Sequence, residues 1–315
     1  MRIRGVEASA PATSANLGSG FDVFSVALDA FHDSVYVEMI RERHIEISVE
    51  GVGSKWIPKS PELNTAGIVA KKLLEVSKKK CGLRIKIEKG IRPGSGLGSS
   101  GASAAAAAVA INELLGLELS SLDLIKFAAQ GELASAGTAH ADNVSAAILG
   151  NFTIVRAYEP LDVINLSLPE NVGFAIAVPD IHFSTNQARS VLPKRVNLSN
   201  MVYNVGHAAT IVAGIALSDV NLMGRGMSDS VVEPARARLI PGLSEVKKSA
   251  LEAGAVGVAI SGAGPSILAL VNTNERSVKD VAEAMKETFE EMGIKCEAVC
   301  TKPGSGAKIT KRVVP

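Results

Sequence analysis

Between residues 93 and 103 the chain reads Pro93-Gly94-Ser95-Gly96-Leu97-Gly98-Ser99-Ser100-Gly101-Ala102-Ser103, and five alanines, Ala104 to Ala108, follow at once. The preceding Leu83–Lys89 stretch alternates apolar and polar residues as a strand does. Gly101–Leu115 has the composition of a helix, so the glycine-serine segment is predicted to join a strand to a helix. Glycines open backbone conformations closed to other residues and let a bulky anion approach the main chain. Unpaired N–H groups at the helix start then face that anion, assisted by the helix dipole. Ser99 and Ser100 add hydroxyls able to reach a phosphate or a magnesium ion. The alanines let the helix pack very close to a sheet or a second helix. A phosphate-bearing ligand is the expectation from these residues alone.

The class of nucleotide can be narrowed. No GxxxxGK[ST] occurs in the chain, so a P-loop is excluded. Gly96, Gly98 and Gly101 do spell GxGxxG, but a dinucleotide fold needs a second strand with an acidic residue about 20 positions on. Leu119–Glu132 reads as helix instead. A triphosphate is therefore the better ligand, and a nicotinamide-dependent oxidoreductase is the weaker alternative.

Composition removes other classes. The 315 residues carry 33 Lys+Arg against 32 Asp+Glu, a net charge of +1, which withholds the phosphate attraction that nucleic-acid binders use. Only 4% is aromatic, too little for base-stacking platforms, while 47% is hydrophobic, enough for real cores. The odd set Cys81, Cys296 and Cys300 forms no CxxC pair, arguing against a disulfide framework or zinc site and for a reducing cytoplasm. Met1 to Arg4 leads into a strand pattern, not a leader's apolar core. The uncharged runs Pro93–Asn112 and Val196–Ser218 are rich in Gly, Ser, Ala and Asn, so buried helices are expected and no membrane association. The sequence leaves room for a homodimer.

Strand patterns are predicted at Ile3–Ala8, Val35–Met39, Ile45–Glu50, Phe152–Arg156 and Gly173–Val178. Helices are predicted at Pro61–Lys80, Ser120–Glu132 and Leu198–Leu217, and a loop carries Thr185 and Arg189. The last third reads helix (Gly242–Glu252), strand (Val256–Ser261), turn (Gly262–Pro265), strand (Ile267–Asn272), helix (Ser277–Met292) and strand (Lys295–Thr301), much of a ferredoxin-like split βαβ layer. Two domains are expected, 1–160 and 161–315.

Three segments, PATSANLGSGFD (Pro11–Asp22), PGSGLGSSGAS (Pro93–Ser103) and SGAGPS (Ser261–Ser266), resemble in order and spacing the three signature motifs of the galacto-, homoserine, mevalonate and phosphomevalonate (GHMP) kinase superfamily. GTAHADN (Gly137–Asn143), STNQAR (Ser184–Arg189) and EPARARLIPG (Glu233–Gly242) are similar to its homoserine kinase branch. The resemblance implies an α+β fold. Its N-terminal α/β domain would bind ATP and contain a sheet of left-handed-crossover type, and its C-terminal domain would be the ferredoxin-like layer. It implies ATP-dependent phosphorylation of the side-chain hydroxyl of L-homoserine, a step towards threonine; a mevalonate-type small-alcohol kinase is the alternative.

The same resemblance assigns roles. Pro93–Ser103 would wrap the ATP phosphates, Ser100 and Glu132 would hold Mg2+, and Asn64 would lie on the adenine side. Arg189 and Arg236 would grip the substrate carboxylate and Asp22 its ammonium group, while Asn16, Asp142, Asn143 and Thr185 orient the hydroxyl and remaining polar atoms. Asp142, Asn143 and Arg189 are the candidates nearest the chemistry. Several superfamily members place an Asp where this chain has Asn143, and a Lys in the first motif where it has none. Asn cannot take up a proton, so direct in-line transfer without a general base is expected. Ser261–Ser266 would turn beneath the phosphate loop, and His140 is as readily structural as substrate-touching.

Overall fold

The computed structural model describes residues 3–136 and 140–314. Met1, Arg2 and the Gly137, Thr138 and Ala139 of the GTAHADN segment lie outside the described residues. Seven strands of the described chain form one sheet and four form another. The first holds β1 (Gly5–Asn16), β2 (Gly20–Ile40), β3 (Ile45–Gly51), β4 (Gly82–Lys89), β5 (Phe152–Tyr158), β6 (Leu161–Leu166) and, from the far end of the chain, β11 (Lys308–Val313). Its order is β11-β1-β2-β4-β3, with β5 on β2 and β6 beyond β5. The second holds β7 (Val172–Pro179), β8 (Gly257–Ile260), β9 (Ile267–Asn272) and β10 (Cys296–Thr301), in the order β10-β7-β9-β8.

Four helices pack against the first sheet and one another: α1 (Thr65–Ser77), α2 (Ser99–Leu115), α3 (Ser121–Ala136) and α4 (Asp142–Leu149). The reason α2 can lie central among them is its alanine run. Ala104 to Ala108 are fully buried, and their small side chains admit close contact with β1 and β2 below and α1 and α3 beside. In the second half, α5 (Thr185–Ser190), α6 (Leu198–Ala216), α7 (Val220–Gly226) and α8 (Val232–Arg236) lead to α9 (Leu243–Glu252) and α10 (Val278–Glu291). The latter two cover the second sheet around a core that includes Val246, Val258, Val281, Met285 and Phe289. The path β7-α9-β8-β9-α10-β10, with its fully antiparallel sheet, is the ferredoxin-like layer the last third was expected to form.

Three local expectations are amended. The strand predicted at Ile3–Ala8 runs on to Asn16, carrying the PATSAN segment inside the sheet, where Ala8, Ala10 and Ala12 are fully buried. The helix after the glycine-rich loop starts at Ser99 rather than Gly101. The stretch with Thr185 and Arg189 is a short helix, started by a capping box between Ser184 and Gln187. The expected division at residue 160 falls in the turn of the β5–β6 hairpin, and β11 returns the C-terminal residues to the first sheet. Among the described residues, no helix is long and apolar enough to cross a membrane.

Candidate active site

A cleft of about 470 Å³ opens between the two halves, and the three motifs meet there. The first supplies a tight turn between β1 and β2. Asn16 and Asp22 take left-handed backbone angles (φ 76° and 57°), a conformation that short polar side chains tolerate better than others. The Asn16 side chain holds the turn, accepting from the Asp22 N–H (3.1 Å) and donating to the Gly262 carbonyl (2.8 Å) in the third motif. Asp22 is thereby aimed into the cleft, where both of its oxygens accept from Arg189 of α5 (3.2 and 2.7 Å). Arg189 Nε is buried and has no hydrogen-bond partner among the described residues.

Arg236, at the end of α8, is buried beside this pair. It donates to the carbonyls of Gly262 (2.9 Å) and Ala188 (3.2 Å). Burial, reinforced by Arg189, pushes its guanidinium down to about 10, which leaves it charged at neutral pH. The ring of Phe21 lies against both guanidiniums, 5.3 Å from Arg189 and 5.4 Å from Arg236. His140 lies 3.4 Å from Arg189, and burial lowers its pKa, favouring the neutral imidazole.

Asp142 opens α4 and is almost completely buried. Burial, with Asp22 nearby, raises its carboxyl to about 6. Its Oδ1 accepts from the backbone (2.7 Å) and side chain (3.3 Å) of Asn143. The Asn143 oxygen in turn accepts from Thr13 in β1 (2.7 Å), so a neutral hydrogen-bonded pair occupies this wall of the cleft. Thr185 also lines the cleft, at the first turn of α5.

In the glycine-rich loop, Gly94, Gly96 and Gly98 all have positive φ (72°, 83° and 66°). Gly98 occupies the N-cap position of α2 without any side chain to cap it, leaving the N–H groups of the first turn directed at the cleft. The third motif cradles the loop from beneath: Ser261 donates to the Gly96 carbonyl (2.8 Å) and the Ser266 N–H to the Ser95 carbonyl (3.2 Å). Four members of the predicted loop do not line the cleft. Leu97 and Ala102 are in the hydrophobic core, Ser95 is buried against the Arg92 carbonyl, and Gly101 is covered by Asn143 and Val144. Ser103 is committed to a buried charge pair. Asn64 lines the cleft, but its side chain caps α1 and donates to the Pro58 carbonyl (2.7 Å), a structural duty.

Ser100 donates to Glu132 Oε2 (3.0 Å) at the floor of the cleft. Burial is the main cause that raises the Glu132 carboxyl to about 7. Sequence reasoning missed Phe21, whose ring carries no motif signal of its own, and the apolar wall of Trp56, Ile57, Pro58 and Phe183. It also missed the buried Asp33–Lys89 pair. Strand alternation at Leu83–Lys89 was the one available hint, because it places Lys89 on the inward face.

The chain matches the family models "GHMP kinases N terminal domain" over residues 64–151 and "GHMP kinases C terminal" over residues 211–291. It is 46% identical over 305 residues to a homoserine kinase of Methanococcus vannielii, covering 96% of this chain and 98% of that one. With a homoserine kinase of Methanocella arvoryzae the identity is 47% over 308 residues, 98% of each chain. The crystal structure of homoserine kinase from Cytophaga hutchinsonii superposes with a TM-score of 0.92 at 40% identity, covering 97% of both chains. Mevalonate kinase of L. major shares the fold at 15% identity, with a TM-score of 0.69.

Proposed function

The chain belongs to the homoserine kinase family of the GHMP kinases, and we infer from its cleft that the γ-phosphoryl group of ATP passes in line to the side-chain hydroxyl of L-homoserine. The observation that carries this reading is the charge arrangement beside the phosphate loop. Asp22 and Asp142 stand with Arg189 and Arg236, two negative groups and two positive, so a zwitterion enters without upsetting the balance. The carboxylate of an α-amino acid suits the guanidinium groups of Arg189 and Arg236 that line the cleft, and its ammonium group suits Asp22. A simple hydroxy acid would add an unbalanced negative charge, and a neutral polyol would displace water from these charged groups without an ionic partner to offer them.

At the other end of the cleft, the first-turn N–H groups of α2 hold the phosphates, and the apolar wall at Trp56 and Phe183 takes the base. Ser100 and Glu132 supply one hydroxyl and one carboxylate, a hard oxygen pair that suits Mg2+ when phosphate oxygens and water complete its shell. Bound there, the ion would neutralise charge on the transferring phosphates. Asn143 already accepts a hydrogen bond and cannot take a proton, so alignment and charge stabilisation drive the transfer. Asp142 orients the hydroxyl by accepting from it, and the proton leaves on a phosphate oxygen or to solvent.

A coupled assay of ADP release with magnesium-ATP tests the substrate, offering homoserine, serine, mevalonate and galactose in parallel. Homoserine is expected to be preferred, and turnover favouring mevalonate or galactose would overturn the assignment.

The orienting role of Asp142 sets a pH dependence. Its ionised carboxylate accepts more strongly than the neutral acid, so at saturating magnesium-ATP kcat/KM for homoserine should rise through about pH 6 and then level off. Asp142→Asn should remove that acid limb and lower kcat by about ten- to fiftyfold. A thousandfold fall with homoserine binding intact would instead install Asp142 as a base. The folded carboxyl holds its proton to higher pH than the unfolded one, so stability declines between about pH 4 and pH 6. Above that window the Asn variant should melt at a higher temperature than the parent.

A further inference from the structure

The proposed mechanism uses neither charge of the most deeply buried ion pair among the described residues. Asp33, in β2, is fully buried, and the side chain of Lys89, the last residue of β4, is 1% exposed. Every bonding capacity of the two groups is taken. The Lys89 ammonium donates to Asp33 Oδ2, to the Ser99 carbonyl (2.8 Å) and to Ser103 Oγ (2.8 Å), which uses all three of its hydrogens. Asp33 Oδ2 also accepts from Ser103 Oγ (2.7 Å), and Oδ1 accepts from the N–H groups of Gly90 and Ile91 (3.1 Å each). With no hydrogen left over, Lys89 has nothing to offer a phosphate although it borders the cleft.

What the pair holds is informative. Gly90 and Ile91 are the first residues of the segment leading into the phosphate loop, and Ser99 and Ser103 lie in the first turns of α2, where that loop ends. Ser99 Oγ donates to the Ile91 carbonyl (2.9 Å), closing the same junction a second time. Both ends of the glycine-rich stretch are thus tied to one rigid point between two strands. The glycines between them have no stiffness of their own, since their backbone freedom is what the loop needs in order to approach an anion. The third motif holds the middle of the stretch at Ser95 and Gly96, and fixing its two ends completes the hold on the intervening N–H groups.

We infer that Asp33 and Lys89 are positioning residues for phosphoryl transfer, acting through the two ends of the phosphate loop rather than by touching the nucleotide. The inference rests on the phosphate-loop reading above. A role confined to stability would not depend on which substrate is varied. A positioning role should weaken handling of ATP and the chemical step while sparing homoserine, whose anchors Asp22, Arg189 and Arg236 make no contact with the pair.

The test combines Asp33→Asn with Lys89→Met, so that neither charge is left buried alone. With the folded double variant, KM for ATP should rise and kcat fall by about tenfold each, an effect of the size that small misplacements of reacting groups produce. Its dissociation constant for homoserine, measured calorimetrically without nucleotide, should stay within about twofold of the parent value. A folded variant with parental kcat and KM for ATP, or with ATP and homoserine affected equally, overturns the inference. Should the double variant fail to fold, Ser103→Ala, which keeps both charges and frees one Lys89 hydrogen, decides by the same split at about threefold. An unmodified enzyme that fails to phosphorylate homoserine would defeat the functional reading itself, an outcome separate from any result with these variants.

Discussion

Replacing Arg189 by Met is expected to lower kcat/KM for homoserine by about a hundred- to a thousandfold, the range for truncating one partner of a desolvated, hydrogen-bonded charge pair. Two losses combine. The substrate carboxylate loses a guanidinium donor, and Asp22 loses the partner to which it is bound at 3.2 and 2.7 Å. Arg189 also holds down the carboxyl of Asp142, so its removal leaves Asp22 and Asp142 facing Arg236 alone at this end of the cleft. The control is an alcohol that lacks the carboxylate, 3-amino-1-propanol. It should be a poor substrate for the parent enzyme, and the Met variant should lose at least about tenfold less activity on it than on homoserine, because the carboxylate contact was never made and only the loss of the Asp22 partner remains. Steady-state kinetics of both enzymes with both alcohols completes the cycle. An equal loss on both would mean that Arg189 serves only to hold Asp22.

The sequence displayed this site unevenly, and the reasons are physical. Motif residues were legible where backbone geometry restricts the choice of side chain. Gly96 and Gly98 need positive φ, and Asn16 and Asp22 are short polar residues in left-handed conformations, so their identity and their geometry have one cause. The ferredoxin-like layer was legible because α9 and α10 carry clear amphipathic faces between apolar strands. Long-range satisfaction was not legible. Asp33 and Lys89 are 56 positions apart and each, read locally, is an ordinary strand residue; only the pairing of β2 with β4 makes them partners. Phe21 was hidden in the same way, since its two arginine neighbours come from α5 and α8 in the other half of the chain. Strand β11, largely polar and exposed along its length, gave no periodic signal, and its place in the first sheet depends on β1. Local chemistry can be read from a segment, but the closing of a network cannot.

Gly98→Ala should lower kcat/KM for ATP by about a hundredfold while leaving a folded protein. Position 98 has φ 66°, so any Cβ there carries the strain of the left-handed region, of order 1–3 kcal/mol. That methyl would also collide with Thr13 Oγ1 and stand 3.0 Å from Asn143 Oδ1. Thr13 and Asn143 are themselves hydrogen-bonded at 2.7 Å on the cleft wall, so the methyl cannot displace one without disturbing the other. The loop must move instead, taking with it the first-turn N–H groups of α2 and the Ser100 hydroxyl. Displacement of about 1 Å is enough for a loss of about a hundredfold in kcat/KM for ATP. Homoserine affinity should change little, because the anchoring groups Asp22, Arg189 and Arg236 lie on other elements. Adding Thr13→Ala to Gly98→Ala removes the collision but not the backbone strain, so it should restore part of the lost activity. Full activity in Gly98→Ala alone, with nucleotide binding unchanged by calorimetry, would mean that the phosphates are held by some other part of the molecule.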